Sequence, residues 1–421
     1  MTPEVKKRIE QIRQGIVPEG YVKDKDGIYP RDWASKKIGQ WLKLAERPIV
    51  LQDEEEYQLV TIRRGFGGVD SRGSFLGKNV LVKNYFIVKT GDFIISKRQI
   101  AHGACGIVPP ELDGAVVSNE YNVFLPQDGT NIQMFNLMMQ LPHYKRLFYL
   151  MSDGVHIEKL LFKKQDWMKR TLAMPLLKEQ KKIAEILATQ DKAIELQGRK
   201  IEELKRFKKG CLEKMFPRKG QKVPEKRFPG FTGDWEQRKV GDITIESTEY
   251  LTLDSGLPLF TSSRNGLLYQ NEYRGNVTTN NKQTLFSVVP LGACTYRHMS
   301  DDDVFHLNIN TIEKGLVSRE YPVFCGTPNH DIVFIVQHIN SSKAFRAFCA
   351  EQKMGGTRTR LYYKALCEFT MMVPSFAEQR RISKFLLNID HLITLHQRKL
   401  EEMKRQKKAL MQLLLTGIVR I

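Results

Sequence analysis

The stretch Pro175-Leu-Leu-Lys-Glu-Gln-Lys-Lys-Ile183 decides the fold, because it recurs as Pro374-Ser-Phe-Ala-Glu-Gln-Arg-Arg-Ile382. The match continues without a gap, at an offset of 199 residues, as far as Phe216 and Leu415, and 16 of the 42 aligned positions are identical. Ordinary composition would give roughly two or three identities over such a length. The chain therefore contains an internal duplication, which has to be recognised before any fold is assigned.

The duplication extends, more weakly, into the regions that precede these two segments. Asp32-Trp-Ala-Ser-Lys-Lys-Ile-Gly39 matches Asp234-Trp-Glu-Gln-Arg-Lys-Val-Gly241, and Val117-Ser-Asn-Glu-Tyr-Asn-Val-Phe124 matches Val317-Ser-Arg-Glu-Tyr-Pro-Val-Phe324. Each copy thus has a globular block of about 140 residues followed by a helical block of about 40. Similarity inside the globular blocks is patchy, which predicts one scaffold with two different surfaces.

The helical blocks have the composition and spacing of long paired helices. No proline interrupts the chain between Pro175 and Pro217 or after Pro374, and strong helix formers dominate both stretches. Each helix would be about 57 Å long at 1.5 Å per residue. The apolar residues that recur at heptad spacing predict a coiled-coil seam; they are Leu187, Ile194, Ile201, Leu204, Met215, Leu386, Ile389, Ile393, Leu400, Met403, Leu410 and Leu414.

Two lysines stand out on this seam. Lys208 and Lys407 interrupt the same heptad position of the two copies. The simpler alternative to pairing is an ordinary amphipathic core helix, but two helices of matching length in one chain favour pairing with each other.

The predicted organisation is a mixed α/β chain (α+β) with a pseudo-two-fold internal repeat. Short apolar, β-branched runs bounded by turn residues predict strands in both globular blocks. The predicted segments are an N-terminal helical segment (1–30), the first globular block (31–174), the first long helix (175–216), a proline-, glycine- and lysine-rich linker (217–234), the second globular block (235–373) and the second long helix (374–421).

Charge favours a nucleic-acid partner. The 421 residues include 66 lysines and arginines against 47 acidic residues, a formal net charge of +19. Such an excess repels itself unless the protein works against a negatively charged partner, and a solvated basic surface is the alternative. The six cysteines are scattered without a CxxC pair, which indicates reduced thiols and no zinc site. No secretion signal or membrane span is evident, so we expect a cytoplasmic protein.

Motifs that would carry catalysis are absent from the sequence. There is no phosphate-binding loop of the G-x-x-x-x-G-K-[ST] type, and no Asn/Asp-Pro-Pro-aromatic motif of an amino-methyltransferase. The acidic run Asp301-Asp302-Asp303 is interpreted as a solvated loop and not as a metal site. We therefore predict no catalytic residue, no metal ligand and no cofactor site in this chain.

The candidates for DNA contact are cations, amides and aromatic residues clustered in the globular blocks. Forked donors suit guanine, amides suit adenine, and any cation suits phosphate. Lys97 and Arg297 occupy equivalent repeat positions and are expected to form a shared phosphate clamp, although any single cation could instead be a solvated surface residue. The candidate residues are Arg63, Arg64, Arg72, Lys97, Arg98, Gln99, His102, Arg264, Asn265, Tyr296, Arg297, His298, Arg358 and Arg360.

The layout resembles a known family. The Pro-Leu-x-x-Glu-Gln-x-x-Ile opening of a long helix at Pro175 and the linker end Arg227-Phe-Pro-Gly-Phe-Thr-Gly-Asp-Trp-Glu-Gln-Arg-Lys239 are similar to the specificity subunit of type I restriction-modification enzymes. The N-terminal stretch 1–30 is longer and more helical than the opening segment of that family. The resemblance covers nearly the whole chain, strongly at the two helix openings and weakly inside the globular blocks.

The resemblance implies a fold and a set of partners. The globular blocks would be two target recognition domains, each reading one half of a split, asymmetric DNA site, and the helices would form an antiparallel coiled coil between them. Two modification subunits would bind S-adenosylmethionine and methylate a flipped adenine. Restriction subunits, the motor-nuclease components, would bring ATP and Mg²⁺, leaving this chain without a cofactor.

Two other classes of protein remain open at this point. One is a self-contained DNA methyltransferase or nuclease of unrecognised type. The other is an interaction scaffold whose coiled coil matters and whose positive charge is incidental.

Overall fold

The computed structural model describes residues 2–24, 27–154, 160–218, 220–274, 283–353 and 358–421. The chain divides into two compact units. Unit 1 comprises Met1–Gln197 together with Lys399–Ile421, and unit 2 comprises Gly198–Arg398. Each unit therefore combines one globular part with the beginning of one long helix and the end of the other.

Two of the helices are far longer than the rest, because the repeated segments are rich in Lys, Glu, Leu and Ala and lack proline. The helices are α1 (Pro3–Arg13), α2 (Ile38–Trp41), α3 (Ile132–Met139), α4 (Pro142–Leu150), α5 (Lys164–Met168), α6 (Leu177–Met215), α7 (Val240–Ile243), α8 (Gln270–Arg274), α9 (Ile332–Ser341), α10 (Lys343–Glu351), α11 (Tyr363–Cys367) and α12 (Phe376–Leu415).

Unit 1 contains a five-stranded sheet of order β5-β8-β11-β6-β7, a four-stranded sheet of order β10-β9-β12-β4, and the pairs β1–β2, β13–β14 and β15–β3. Strand β11 runs parallel to β6, whereas β8 runs antiparallel to β11. The strands are β1 (Tyr21–Asp24), β2 (Gly27–Pro30), β3 (Ala34–Lys37), β4 (Leu42–Leu44), β5 (Pro48–Val50), β6 (Glu56–Ile62), β7 (Val69–Leu76), β8 (Asn84–Ile87), β9 (Phe93–Ser96), β10 (Cys105–Ile107), β11 (Val116–Ser118), β12 (Tyr121–Pro126), β13 (Ser152–Asp153), β14 (Leu161–Phe162) and β15 (Thr171–Met174).

Unit 2 contains a four-stranded sheet of order β17-β26-β22-β24, a three-stranded sheet of order β18-β21-β25, and the pairs β16–β28, β19–β20 and β23–β27. The strands are β16 (Glu236–Lys239), β17 (Thr244–Glu246), β18 (Tyr250–Leu251), β19 (Phe260–Ser263), β20 (Gly266–Tyr269), β21 (Phe286–Val289), β22 (Cys294–Thr295), β23 (Met299–Ser300), β24 (Asn308–Ile309), β25 (Gly315–Ser318), β26 (Val323–Gly326), β27 (Thr359–Arg360) and β28 (Thr370–Val373).

The two units share one topology. The order β10-β9-β12-β4 corresponds to β24-β22-β26-β17, and β5-β8-β11 corresponds to β18-β21-β25. They differ in the smaller pairings. The hairpin β6–β7 extends the five-stranded sheet of unit 1 whereas β19–β20 forms a sheet of its own, and unit 1 has the pairs β1–β2 and β13–β14 where unit 2 has β23–β27. The prediction of a mixed α/β chain with two similar halves and two long helices is confirmed.

The ends of the long helices are built into the cores of the units. In unit 1, Leu187 of α6 and Leu414 of α12 belong to the same buried cluster as Trp167. In unit 2, Met215 of α6 and Leu386 of α12 share a buried cluster around Trp235. Because the start of one helix packs with the end of the other in each unit, the pairing is antiparallel. Every predicted seam residue is buried or half-buried.

The seam lysines form repeat-related ion pairs. Lys208 Nζ lies 2.8 Å from Asp390 Oδ1 in unit 2, and Lys407 Nζ lies 2.5 Å from Asp191 Oδ1 in unit 1. Each lysine and each aspartate is 199 residues from its counterpart. The residues that interrupt the heptads thus pair across the two helices in the same register in both units.

The repeated Glu-Gln motif anchors each long helix to its globular part. Gln180 accepts a hydrogen bond from the Asn131 backbone N–H (2.8 Å) and donates to the carbonyl oxygens of Gly129 and Pro175. Gln379 likewise accepts from the Asp331 N–H at 2.8 Å and donates to the Pro374 carbonyl. Asn131 and Asp331 are the N-caps of α3 and α9. One amide in each unit therefore satisfies buried backbone groups at two helix ends.

The glutamate of the same motif binds an arginine that follows the partner helix. In unit 2, Arg227 Nε and Nη2 donate to Glu378, each at 2.7 Å, and the Glu378 side chain is completely buried. In unit 1, Arg420 Nε and Nη2 donate to Glu179, each at 2.8 Å, and Arg420 also binds Asp32. Hydrogen bonds donated to these carboxylates raise the pKa of both arginines.

The N-terminal segment is only partly helical. After α1 the chain forms the β1–β2 hairpin, which the sequence did not predict. The Tyr21 hydroxyl donates to the Gly417 carbonyl at 2.6 Å, and Arg8 Nη1 donates to the Ile418 carbonyl at 2.5 Å. The segment therefore holds the last residues of the chain against unit 1. Within the described ranges, no helix is both long enough and apolar enough to cross a membrane.

Candidate nucleic-acid interface

In unit 1 the turn of the β6–β7 hairpin lies against the turn that follows β9. The backbone N–H of Gly65 donates to the His102 carbonyl at 2.7 Å, and that of Phe66 donates to the Gly103 carbonyl at 2.8 Å. Gly103 has a φ of 74°, and a Cβ there would lie 2.9 Å from the Phe66 ring. A glycine is therefore required for this contact. The contact brings Arg63 and Arg64 to the segment that carries Lys97, Arg98 and His102.

The side chains of this segment have different surroundings. Arg98 is exposed and its Nε donates to Glu120 Oε2 at 2.7 Å. Lys97 is half-buried and its ammonium group donates to the Asn119 carbonyl; burial, followed by the charge of Lys164, lowers the pKa of Lys97. Gln99 keeps its amide oxygen buried, without a hydrogen-bond partner in the described ranges. Of these side chains, Arg98 is the best placed to reach a ligand.

Two further arginines lie on the β6–β7 hairpin. Arg63, beside the turn, is ion-paired through Nε with Asp70 on the facing strand. Arg72 on β7 is exposed, and its charge acts on Tyr121, whose pKa burial raises. The effect on Tyr121, the residue that follows Glu120 and begins β12, places Arg72 near the start of that strand. We call this set surface 1: Arg63, Arg64, Arg72, Lys97, Arg98, Gln99 and His102.

In unit 2 the acidic run Asp301-Asp302-Asp303 organises the candidate residues. Asp302 is ion-paired with Arg264 at the tip of the β19–β20 hairpin. Asp301 accepts from Arg358 Nε at 2.7 Å, and Asp303 accepts from the Thr359 hydroxyl. Hydrogen bonds from Arg264 and Ser300 hold the pKa of Asp302 at about 2.

Asp301 and Asp302 are exposed, as expected for a solvated loop, and all three carboxylates of the run also bind partners. The run gathers two arginines from segments that are 38 and 57 residues away. Three other candidates lie beside it. Asn265 shares the hairpin tip with Arg264, Arg360 pairs with Met299 in the β23–β27 ladder, and Arg297 is exposed two residues earlier. We call this set surface 2: Arg264, Asn265, Arg297, Arg358 and Arg360.

Two candidates of unit 2 lie in the core instead. Tyr296 is fully buried and its hydroxyl donates to the Leu361 carbonyl at 3.1 Å, so the expectation that it contacts DNA is wrong. His298 is 3% exposed and stacks on Tyr362 at 5.5 Å, and burial lowers its pKa. The alternation of Tyr296 and His298 inward with Arg297 outward follows the two-residue period of an extended chain. Of these three, only Arg297 is accessible to a ligand.

The expected phosphate clamp of Lys97 and Arg297 differs between the units. The Lys97 ammonium group is held by the Asn119 carbonyl, whereas Arg297 is exposed. An equivalent position in the repeat therefore does not give an equivalent cation. Contact with a phosphate therefore stays a prediction for Arg297. The same role is less favoured for Lys97, because the Asn119 carbonyl already holds its ammonium group.

Both surfaces carry the chemistry of a DNA-reading face. Each presents several guanidinium groups on loops and strand ends, and exposed arginines donate to phosphate oxygens and to guanine. Across the described ranges, no group of three or more His, Cys, Asp or Glu side chains has the arrangement of a metal site. Both surfaces use a hairpin and the segment around residue 97 or 297, and surface 2 adds Arg358 and Arg360 from the segment around β27.

The chain matches the family model described as "Type I restriction modification DNA specificity domain" over residues 30–206 and 319–405. The chain belongs to this family. Its members supply the DNA specificity of type I restriction enzymes, and the catalytic activities reside in other subunits. The chain is thus a non-catalytic DNA specificity subunit, and a self-contained enzyme is not favoured.

Known proteins agree with this assignment along the whole chain. The type I restriction enzyme MjaVIII specificity subunit of Methanocaldococcus jannaschii is 21% identical over 93% of this chain and 94% of its own. The putative MjaX specificity subunit of the same organism is 23% identical over 96% of this chain and 97% of its own. The crystal structure of the type I restriction-modification S subunit from M. genitalium, 12% identical, covers 91% of this chain and 96% of its own with a TM-score of 0.56. That structure supports the fold.

Sequence reasoning missed the acidic residues that hold the arginines. Glu120, Asp301 and Asp302 each bind a candidate cation, yet the predicted contact residues were cations, amides and aromatic residues without their acidic partners. A signal was present for Glu120, because it belongs to the repeated Val-Ser-x-Glu-Tyr stretch. For the aspartates no local signal exists, since their partners are distant in sequence.

Proposed function

We propose that this specificity subunit reads a split, asymmetric DNA site, with unit 1 recognising one half through surface 1 and unit 2 recognising the other through surface 2. The target recognition domains would be residues 31–174 and 235–373. The observation that carries the proposal is the combination of a shared topology with different exposed arginines on corresponding loops. A duplicated frame with unlike reading loops suits two unlike half-sites.

We further propose that two modification subunits and, for restriction, motor-nuclease subunits bind this chain. Exposed apolar side chains on the long helices support such docking: Leu387, Leu392 and Leu395 on α12 are 42%, 44% and 44% exposed. Leu196 and Phe207 on α6 are 53% and 55% exposed. Large apolar side chains clustered on a helix favour contact with a partner protein.

The cofactors of the reaction would belong to these partners. S-adenosylmethionine would be held by the modification subunits, which methylate adenine, and ATP and Mg²⁺ by the restriction subunits. We place the complex in the cytoplasm, where the chromosome to be modified lies.

Mapping of methylated bases tests this function. DNA from cells that contain the modification subunits is sequenced for methyladenine in the presence and absence of this chain. We expect one motif with two specific blocks and an unspecified spacer, dependent on the chain. A continuous motif would contradict the two-reader proposal, and methylation that is independent of the chain would contradict a specificity role.

Salt dependence separates DNA reading from a scaffold role. A protein that contacts phosphates loses affinity steeply as counterions increase, by several orders of magnitude between 50 and 200 mM salt when roughly six to ten phosphates are bound. We expect binding of the chain to duplex DNA to follow this steep dependence. Binding that is insensitive to salt would favour a scaffold whose charge is incidental.

A further inference from the structure

One arginine on each surface, Arg98 and Arg358, donates a hydrogen bond from Nε to a carboxylate. Arg63 Nε also faces a carboxylate, that of Asp70, but within the described residues the facing Asp70 oxygen accepts no hydrogen bond. Arg98 Nε lies 2.7 Å from Glu120 Oε2, and Arg358 Nε lies 2.7 Å from Asp301 Oδ1. Both arginine side chains are 54% exposed. An ion pair this exposed contributes little stability. Its consequence is geometric, because it fixes the plane of a guanidinium group that otherwise rotates freely.

The guanidinium nitrogen that bonds the carboxylate determines which edge of the arginine can still bind a ligand. When Nε is bonded to a carboxylate, the outer edge formed by Nη1 and Nη2 stays available as a rigid fork. Such a fork matches the O6 and N7 acceptors of guanine in the major groove, which is the commonest specific contact to a base. A phosphate contact needs no such fixed plane, since any cation supplies it.

Arg264 shows the contrasting arrangement on surface 2. It binds Asp302 through Nη2, so one of the two nitrogens of its outer edge is already engaged. The same surface thus contains one arginine with a prepared fork, Arg358, and one without, Arg264. This contrast provides a matched control within a single unit.

We propose that Arg98 and Arg358 each read one guanine, with Glu120 and Asp301 as positioning residues, so that both halves of the DNA site contain a G·C pair. The inference rests on the proposed function, because it assumes that surfaces 1 and 2 face DNA.

The two forks come from different parts of the repeat. The position that corresponds to Arg98 in unit 2 is His298, which is buried and feels the charge of Glu320, the counterpart of Glu120. Unit 2 instead carries its fork on the segment that leads into β27. The guanine is therefore expected at a different place in each half-site.

Selection from a randomised duplex DNA library tests the assignment. The purified full chain is compared with its Arg98→Ala, Arg98→Lys, Arg358→Ala, Glu120→Ala and Arg264→Ala variants, and bound DNA is sequenced. The wild-type chain should select two blocks, each with a G·C pair. Arg98→Ala should reduce the preference for one guanine in one block roughly tenfold or more, and Arg358→Ala should do so in the other block.

The remaining variants separate reading from charge and from structure. Arg98→Lys keeps the charge without the fork, so it should lose the guanine preference while it retains affinity. Glu120→Ala should relax the same base position as Arg98→Ala, and the double variant should add nothing further. Arg264→Ala should weaken binding to all sequences equally. Since these side chains are exposed, the melting temperature of each variant should equal that of the wild-type chain.

The outcomes distinguish this inference from the proposed function. If the wild-type chain selects no sequence, the proposed function fails and the guanine assignment fails with it. If it selects two blocks but one lacks a G·C pair, or Arg98→Lys keeps the full preference, only the guanine assignment is overturned. The proposal states that an arginine held through Nε reads guanine and that one held through Nη2 does not. A change of base preference in Arg264→Ala, without one in Arg358→Ala, would contradict it.

Discussion

Unit 1 and unit 2 agree in the contacts that hold the frame and differ in the contacts that face outward. Frame contacts recur in equivalent register, as in the pairs Lys407–Asp191 and Lys208–Asp390. The outward loops differ in their arginines and in the ion pairs that hold them. The duplication has therefore preserved packing while the surfaces diverged, as expected for one scaffold that reads two different ligands.

The comparison also shows one asymmetry inside the frame. The arginine that binds the motif glutamate comes from the linker in unit 2 (Arg227) and from the end of the chain in unit 1 (Arg420). Glu378 is 0% exposed and Arg227 is 18% exposed, whereas Glu179 and Arg420 are 10% and 36% exposed. The same contact is thus more deeply buried in unit 2.

The largest expected effect is the loss of stability when either arginine of this contact is replaced, and it tests the difference in burial. Arg227→Ala leaves the Glu378 carboxylate buried without its cation, which should lower the stability of unit 2 by about 3–5 kcal/mol. Arg420→Ala should lower that of unit 1 by roughly 1–2 kcal/mol, because water can reach the more open site. Hydrogen exchange measured by mass spectrometry resolves the protection of each unit.

A double substitution provides the control for this pair. Replacing both partners in Arg227→Met/Glu378→Leu removes the buried charge, so most of the lost stability should return. Equal losses for Arg227→Ala and Arg420→Ala would contradict the difference in burial.

The second largest effect is expected in how the stability of each unit depends on pH. Burial lowers the pKa of His338, which stacks on Phe216 at 4.6 Å, to about 4 from an ordinary value of 6.5. The unfolded chain therefore binds the proton more readily, and unit 2 loses about 1.4 kcal/mol per pH unit as the pH falls from 6.5 to 4. The corresponding residue of unit 1 is Met138, which is also buried.

His338→Met copies the residue of unit 1 into unit 2. Unfolding by urea, followed by hydrogen exchange at several pH values, should show that this variant removes the contribution of His338. The stability of unit 2 should still fall with decreasing pH, but less steeply, since burial also lowers the pKa of His298, His306 and His330. An unchanged slope in the variant would mean that His338 is solvated or partnered.

The two motif glutamines should give matched, intermediate effects. Gln379→Leu leaves the Asp331 N–H and the Pro374 carbonyl without their bonds, and Gln180→Leu does the same to Asn131 and Pro175. A buried group left without its partner costs about 1–3 kcal/mol. Hydrogen exchange at α3 and α9 should increase in the respective variant. An effect in one unit alone would show that the two anchors are not equivalent.

The smallest effect is expected at the seam ion pairs. Asp390 and Asp191 are 38% and 53% exposed, so each pair is screened by water. Asp390→Asn and Asp191→Asn should each cost less than about 1 kcal/mol. Thermal melting measures this loss. A loss of several kcal/mol would contradict the expectation and would show that the ion pairs are less accessible to water than the exposure of the aspartates indicates.

The sequence predicted the frame because its signals are local and periodic. The helices α6 and α12, their seam and the duplication follow from heptad spacing and from the repeated Glu-Gln motif. The β1–β2 hairpin was not predicted, since its strands are only four residues long and its contact with Gly417 exists only in the folded chain.

The candidate site was harder to predict for two physical reasons. A cation and its neighbour in an extended segment point to opposite sides, so Arg297 is exposed while Tyr296 is in the core. The acidic partners of Arg264 and Arg358 lie 38 and 57 residues away, and only the folded chain brings them together. Local composition therefore identified the right region but not the geometry of its side chains.

The most direct test of the account changes one reader at a time. Methylated sites are mapped for the assembled complex with the wild-type chain, with Arg98→Ala in unit 1 and with Arg358→Ala in unit 2. The account predicts that each substitution relaxes bases in one block of a bipartite motif and leaves the other block unchanged. Relaxation of both blocks by either substitution would contradict independent reading by the two units.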